Sequence, residues 1–270
     1  ERLSAMRQFM EEKNLDAFII PSTDAHLSEY PPKFWESRKW ISGFTGSAGT
    51  AVVTTKHAGV WTDSRYFLQA ADELSGTGVD LFKMGQSDTP DMTDWIIEQT
   101  GRGGKVGIDG LVYAASEGNT LKSKLDAAGI ELVTTHDPFE SIREDRPEIP
   151  KNKIFTLPVD VTGETVKSKI DRVNQQLKNL NADGVIVATL DTIAWLFNLR
   201  GNDVAYNPVA VAYAYVSENE TVLFIDPEKL TDEIAQSYKE QGIKITDYND
   251  IFEYVANLPE SSSVCITGSK

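Results

Sequence analysis

The stretch Ala182–Asp226, ADGVIVATLDTIAWLFNLRGNDVAYNPVAVAYAYVSENETVLFID, decides the fold because it repeats, element for element, the earlier stretch Leu15–Asp63. In the earlier copy Leu15–Pro21 (LDAFIIP) is a short apolar run that reads as a buried strand, and Ala182-Asp183-Gly184 leads into VIVAT in the same way. Trp195–Gly201 (WLFNLRG) stands where Trp40–Gly46 (WISGFTG) stood. Each copy then offers two β-rich runs. Ala51–Thr55 and Val60–Thr62 are joined by a tight turn at Lys56–Gly59, and Pro208–Val216 precedes Thr221–Asp226. The first pair ends in WTD and the second in FID.

Working outward, each strand is preceded by an amphipathic helix. Leu3, Met6, Phe9 and Met10 share one face of the first. Val166, Ile170, Val173, Leu177 and Leu180 predict a helix over Thr162–Leu180, with apolar steps of four, three, four and three. After WTD come a helix (Ser64–Leu74), a strand (Val79–Met84), a helix opened by Thr89-Pro90-Asp91 with an N-cap and a first-turn proline, a strand (Lys105–Asp109), a helix running to Gly129 and a strand (Glu131–Thr135). After FID the order returns as helix Lys229–Gln241, strand Ile243–Tyr248, helix Asp250–Leu258 and strand Val264–Thr267. Conserved order over divergent residues is the signature of a duplication. The second copy reaches Lys270 with a helix and a strand of the first still unmatched, so its unit is expected to be incomplete. The fold class is α/β, with two mixed sheets, antiparallel at each hairpin, parallel where a helix crosses over, and flanked by helices. The expected units are residues 1–140 and 159–270, joined by a proline-rich linker at 141–158.

Composition narrows the function. With 41 acidic and 26 basic residues the net charge is -15, which opposes nucleic acid and anionic membrane as partners. No apolar run approaches the ~20 residues of a membrane span. A single cysteine, Cys265, excludes an intrachain disulfide and points to a reducing compartment, the cytoplasm.

The three histidines, His26, His57 and His136, stand in separate loops, none with a second histidine or a cysteine at metal-ligand spacing. Gly43, Gly46 and Gly49 do not follow a phosphate-binding spacing, and tight turns explain them. Asp63 with Arg65 and Arg200 with Asp203 offer opposite charges in equivalent loops, read first as structural ion pairs fixing those loops. The polar loop around Asp24, His26 and Glu29 is the longest irregular segment. It and Trp195–Asp203 leave their strands at the same end, where ligand crevices of α/β sheets lie. His26, Glu29, Arg200 and Asp203 from these segments, with Arg65 from the charged turn, are the candidate access residues, and no catalytic set is found.

The segments IIPSTDAHLSEY, ISGFTGSAGTAVVT, VWTDSRYFLQA, DRPEIP and LDTIAWLFNLRGNDVAYNP closely resemble the amino-terminal part of three-domain Xaa-Pro aminopeptidases. The resemblance implies two tandem creatinase N-terminal-like domains of ribonuclease H-like architecture, ahead of a pita-bread catalytic domain. That third domain would hold two divalent ions, usually manganese, through two aspartates, a histidine and two glutamates, and activate a water against the bond before a proline in second position. None of those ligand motifs occurs in this chain, so no catalytic residue, metal ligand or cofactor is carried over to it. The implied partners are the catalytic domain and peptides with proline second, with homo-oligomerisation left open. The implied role is to shape and restrict access to the metal site. Two alternatives remain: a binding module of a catalytically inactive pita-bread protein, and the front domains of a creatinase or prolidase relative.

Overall fold

A computed structural model describes residues 1–135 and 137–266. Two compact units meet between Glu148 and Ile149. His136, and Thr267 at the expected end of the last strand, lie outside the described residues.

The first unit runs α1 (Arg2–Glu12), β1 (Ala17–Ile20), α2 (Ser37–Ser42), β2 (Thr50–Thr54), β3 (Ala58–Thr62), α3 (Phe67–Glu73), β4 (Asp80–Lys83), α4 (Met92–Thr100), β5 (Lys105–Asp109), α5 (Ala115–Ala127), β6 (Glu131–Thr135) and α6 (Phe139–Ile142). Its six strands lie in the order β4-β3-β2-β1-β5-β6. The β1–β2 and β2–β3 pairs are antiparallel, and the three pairs reached through helices are parallel. Alternation along β1 sends Phe18 and Ile20 to one face, with Met6, Phe9 and Met10 of α1. Ala17 and Ile19 go to the other, with Trp95, Ile96, Leu121 and Leu125 of α4 and α5. Each such large apolar side chain contributes about 1.5–3 kcal/mol on burial.

The second unit runs β7 (Phe155–Thr156), α7 (Val159–Thr162), α8 (Val166–Leu180), β8 (Gly184–Val187), α9 (Leu190–Leu196), β9 (Leu199–Arg200), β10 (Tyr213–Ser217), β11 (Thr221–Phe224), α10 (Asp232–Glu240), β12 (Ile243–Thr246), α11 (Asp250–Ala256) and β13 (Val264–Ile266). Its sheet, β12-β11-β10-β8-β13, is the first sheet without the β6 edge among the described residues, and β7 and β9 form a separate ribbon. The register is preserved: Ile19 opposes Val52, and Ile186 opposes Tyr215.

The duplication reaches individual hydrogen bonds. The Asp16 carboxylate accepts the Lys105 N–H at 2.8 Å, and the Asp183 carboxylate accepts the Ser263 N–H at 2.8 Å. Thr54 Oγ1 accepts the His57 N–H at the turn of one hairpin, as Ser217 Oγ accepts the Glu220 N–H in the other. Asp63 and Asp226, the last residues of WTD and FID, each cap a 3-10 turn that follows the hairpin. The copies part where Tyr215 replaces Val52. A Cβ at Gly184 would lie 2.6 Å from Cζ of that ring, which is why the strand has a glycine there.

Several local expectations change. The helix expected over Thr162–Leu180 breaks at Gly163 (φ 76°), and Thr165 recaps it by accepting the Ser168 N–H. Leu180 is 66 % exposed rather than buried, because the helix ends in a left-handed Asn181 beyond the core. Asp91, not Thr89, caps α4 by accepting from Thr93 and Asp94, so Pro90 precedes the cap. Ser64–Leu74 begins as a 3-10 turn before α3.

The segment 141–158 contains the boundary between the units, and both of its ends are anchored. Phe139 is buried in the first core. Nearby, the Arg146 guanidinium lies 3.6 Å from the Phe34 ring centroid and 2.6 Å from Asp137. On the other side Ile154 is buried in the second core, and its N–H bonds the Lys229 carbonyl at 2.9 Å.

Candidate functional site

In the first unit the loop leaving β1 is wound around Asp24. This fully buried carboxylate accepts the His26 and Ser28 N–H groups through Oδ1, each at 2.9 Å. Leu27 (φ 56°) turns the chain, and the His26 ring packs edge-on to Trp35 with centroids 6.0 Å apart. His26 is 1 % exposed. It supports the loop from inside rather than presenting its ring at the surface, where the polar loop sequence places it as a candidate. Glu29 and Tyr30, at the end of the same turn, are exposed.

Arg38 of α2 ties this loop to the glycine-rich segment. Its Nε donates to Ser22 Oγ at 3.0 Å, and its two Nη groups donate to the carbonyls of Phe44 and Gly46. Burial lowers its pKa to about 10, opposed by the charges of Glu36 and Glu73. The guanidinium also lies 4.7 Å from the Phe44 ring centroid. A Cβ at Gly46 would run into the Phe44 and Tyr66 rings, so the glycine serves packing rather than phosphate binding. Thr45 donates its N–H and hydroxyl to Glu73 at 2.8 and 2.5 Å, which latches the segment to α3.

Beside the latch stands Arg65, exposed, its Nε and Nη2 donating to the two Asp63 oxygens at 2.9 and 2.8 Å. The expected Asp63–Arg65 pair therefore forms, at the surface. Hydrogen bonding between them raises the Arg65 pKa and lowers that of Asp63. The charge of Glu29 adds, as the smallest of the causes, to the raised Arg65 pKa. In the second unit Asp226 keeps the cap, but Glu228 occupies the position of Arg65. The cation of the first copy's turn is exposed, whereas the second copy's turn carries Lys229, which is buried.

Arg200 and Asp203 do not pair. Arg200 Nη1 donates to the carbonyls of Ala194 and Leu199, both at 2.8 Å. Asp203 Oδ2 instead receives Lys229 Nζ at 2.5 Å and the Val211 N–H at 2.7 Å, while Oδ1 receives Asn152 at 3.2 Å. Asp203 is a buried brace of its loop, with no surface for a ligand. Arg200 remains partly exposed. Sequence reading missed Arg38, Lys169 and Lys229. Each is a cation in an ordinary helical or turn context, and only the fold reveals that it is inside.

The exposed candidates of the first unit are a carboxylate (Glu29), with the Tyr30 phenol next to it in the chain, and a paired guanidinium (Arg65). They can hold a charged, polar ligand, but they contain no nucleophile–base pair. Among the described residues no group of three or more His, Cys, Asp or Glu could hold a metal ion. The described residues therefore do not fit a dinuclear metal site. No described helix is long and apolar enough to cross a membrane.

Residues 2–144 match the family described as the creatinase/prolidase N-terminal domain, and residues 145–270 match a second family of the same description. The chain belongs to the creatinase/prolidase N-terminal domain family. Both copies of the duplication are accounted for by such domains, as the resemblance implied. The chain is 39 % identical over 264 residues to a probable Xaa-Pro aminopeptidase P of Botryotinia fuckeliana, covering 97 % of this chain and 40 % of that protein. It is 38 % identical to a probable Xaa-Pro aminopeptidase P of Coprinopsis cinerea, covering 100 % of this chain and 43 % of the relative. The X-prolyl aminopeptidase of Caenorhabditis elegans, described as a cytosolic enzyme with a di-nuclear active site, superposes with a TM-score of 0.91 at 32 % identity. That match covers 95 % of this chain and 43 % of the C. elegans protein. This creatinase/prolidase-type pair of domains therefore spans less than half the length of the peptidases it is similar to.

Proposed function

We propose that this chain is the non-catalytic amino-terminal part of a cytoplasmic Xaa-Pro aminopeptidase, which removes the residue before a proline by hydrolysis at two metal ions, manganese by expectation. The observation that carries this reading is the likeness to Xaa-Pro aminopeptidases along 97–100 % of this chain but only 40–43 % of theirs. In this reading the two metal ions are held by parts of the longer protein outside this chain; among the described residues no group of three or more His, Cys, Asp or Glu could hold one.

In this reading the front domains narrow the approach to the metal site so that only a free peptide amino end enters. Two exposed groups of the first unit suit that task. Glu29 accepts from an ammonium group, while Arg65, fixed by Asp63, meets a peptide carbonyl or carboxylate. Arg200 offers the remaining guanidinium edge to peptide in the second unit. Arg65 and Arg200, already bonded within the fold, cost little to order on binding.

The reading is tested with the purified 270-residue chain and the longer protein side by side, on Xaa-Pro peptides with added manganese. The chain alone is expected to release no amino acid, and the longer protein to release the residue before proline. Metal-dependent hydrolysis by the chain alone would overturn the assignment of the chemistry to residues outside it.

A further inference from the structure

The first unit has a crevice at the carboxyl ends of β1 and β5. These neighbours run parallel, with Ala17 beside Val106 and Ile19 beside Ile108. The chain passes from β1 to β2 on one side of the pair and from β5 to β6 on the other. Such a reversal opens a gap beyond the strand ends, where ligands of α/β sheets bind. Here the gap is a groove of about 430 Å³, a volume common among small-molecule sites. Pro21 and Val112 reach it from the strand ends, Met92 and Thr93 from the first turn of α4, and Glu117, Leu121 and Lys124 from one face of α5.

Three of its polar groups are unpaired. Thr93 is 7 % exposed and its N–H bonds Asp91 at 2.9 Å, but its hydroxyl has no hydrogen-bond partner among the described residues. A buried hydroxyl without a partner is uncommon, and one that lines a groove is open to a ligand. The Tyr113 phenol, on the same groove, also has no partner among the described residues. Burial and the Glu117 charge raise its pKa, so it stays protonated. Glu117 is exposed and makes no ion pair among the described residues. Lys124 lies 4.0 Å from Asp91, which shares its charge. Asp94 stands in the first turn of α4 and Asp109 at the end of β5. Arg38, which reaches Ser22 beside Pro21, is buried and donates to Ser22, Phe44 and Gly46. Among the described residues, carboxylates therefore outnumber accessible cations around the groove, and Glu117 is the unpaired charge that lines it.

We propose that this groove binds a primary ammonium carried beside an apolar group, as in an amino-acid amide or the amino end of a peptide. The ammonium takes Glu117 as its counter-charge and donates to the Thr93 and Tyr113 hydroxyl oxygens, while the apolar group packs on Met92, Val112 and Leu121. An ammonium has three donors, and these are three acceptors. An anion would meet Lys124 already facing Asp91, and Glu117 would repel it. A wholly apolar ligand would leave the two hydroxyls covered and unpaired, which is costly. The second unit has no counterpart of α5 among the described residues, so the groove belongs to the first copy. Binding here needs neither a metal nor bond cleavage and is independent of the peptidase reading.

The test follows the NMR amide shifts of Thr93, Tyr113, Glu117 and Leu121 in the isotope-labelled 270-residue chain. The probes are leucinamide, the amidated peptide Leu-Ala-Ala, and N-acetyl-leucinamide. Leucinamide and the peptide should shift these amides saturably. N-acetyl-leucinamide, which keeps the apolar group without the charge, should not. Tighter binding of the peptide than of leucinamide assigns the site to peptide amino ends, and equal or weaker binding assigns it to free amines. Glu117→Gln should weaken binding about tenfold, and Thr93→Val about threefold, whereas Lys124→Gln should not weaken it. Glu117 is exposed, so its variant keeps the fold even if the Thr93 variant loses it, and circular dichroism of each checks this. No saturable shift with leucinamide or the peptide, equal shifts with the acetylated probe, a Glu117→Gln chain that binds as tightly as the parent, or weakened binding in Lys124→Gln would overturn the proposal.

Discussion

Lys229 Nζ lies 2.5 Å from Asp203 Oδ2, with 1 % and 0 % of the two side chains exposed. Asp203 stands in the loop after β9, and Lys229 in the 3-10 turn after β11. The same ammonium bonds the Val211 carbonyl at 3.2 Å, so one contact ties three segments of the second unit. Burial lowers the lysine pKa, and the neighbouring Asp203 charge opposes that shift. Such a pair is costly to bury and more costly to break.

Lys229→Met leaves the Asp203 carboxylate buried and uncompensated. It should destabilise the second unit by about 3–5 kcal/mol. The Val211 amide, bonded to Asp203, is the local reporter: its hydrogen exchange should accelerate in the single variant. Lys229→Met with Asp203→Asn removes the stranded charge and should recover part of the loss. Equal protection in parent and single variant would rule out a bracing role.

Acid should loosen the latch between the glycine-rich segment and α3. Burial pushes the Glu73 carboxyl up, but hydrogen bonds from Thr45 and Gln69, with the charge of Arg38, hold it below the ordinary 4.5. A carboxyl lowered by folding stabilises the fold above its unfolded value, and that contribution fades as pH falls through the folded value. Stability should therefore be insensitive to Glu73 between pH 7 and about 5 and fall below about 4.5. Glu73→Gln should flatten that acid limb in urea titrations at stepped pH. An unaltered limb would assign the acid sensitivity to other groups.

Tyr238 donates its hydroxyl to the Phe197 carbonyl at 3.0 Å from a fully buried position, and burial raises its pKa. A phenol raised by folding supports the fold at neutral pH, and that support is lost as pH rises above the unfolded value near 10. Tyr238→Phe should cost about 1–2 kcal/mol at pH 7, because the Phe197 carbonyl loses its donor. Thermal melts across neutral and alkaline pH should show a smaller difference between the two proteins as the parent's phenol ionises. A gap that widens with alkalinity would contradict this.

Gly46→Ala should disturb the same latch by a steric route. Its methyl group meets the Phe44 and Tyr66 rings, and forcing them aside should cost about 1–3 kcal/mol. Chemical denaturation of the variant measures the cost, and a loss below a few tenths of a kcal/mol would mean that the rings move freely.

The repeat was readable because it is carried by patterns that survive divergence. Those patterns are two-residue alternation in the strands and an aspartate that caps the turn after each hairpin, Asp63 and Asp226. The site was harder to read because charge partners are chosen by the fold rather than by spacing. Arg200 stands three residues from Asp203, yet Lys229, 26 positions away, takes the carboxylate. His26 sits in a polar loop and is nonetheless internal, since Asp24 folds that loop around itself. Glu29 and Arg65 were legible as surface charges from their loop positions, and both are exposed.

The proposed role has Glu29 and Arg65 of the first unit meet the peptide before it reaches a metal site elsewhere in the longer protein. The most direct measurement is kcat/KM of the longer protein on short and long Xaa-Pro peptides, with Glu29→Gln and Arg65→Ala, alongside thermal melts. Both residues are exposed, so the melts should be unchanged, while kcat/KM should fall roughly tenfold, with the short and long peptides affected differently. Parent-like kcat/KM on every peptide length would contradict the account.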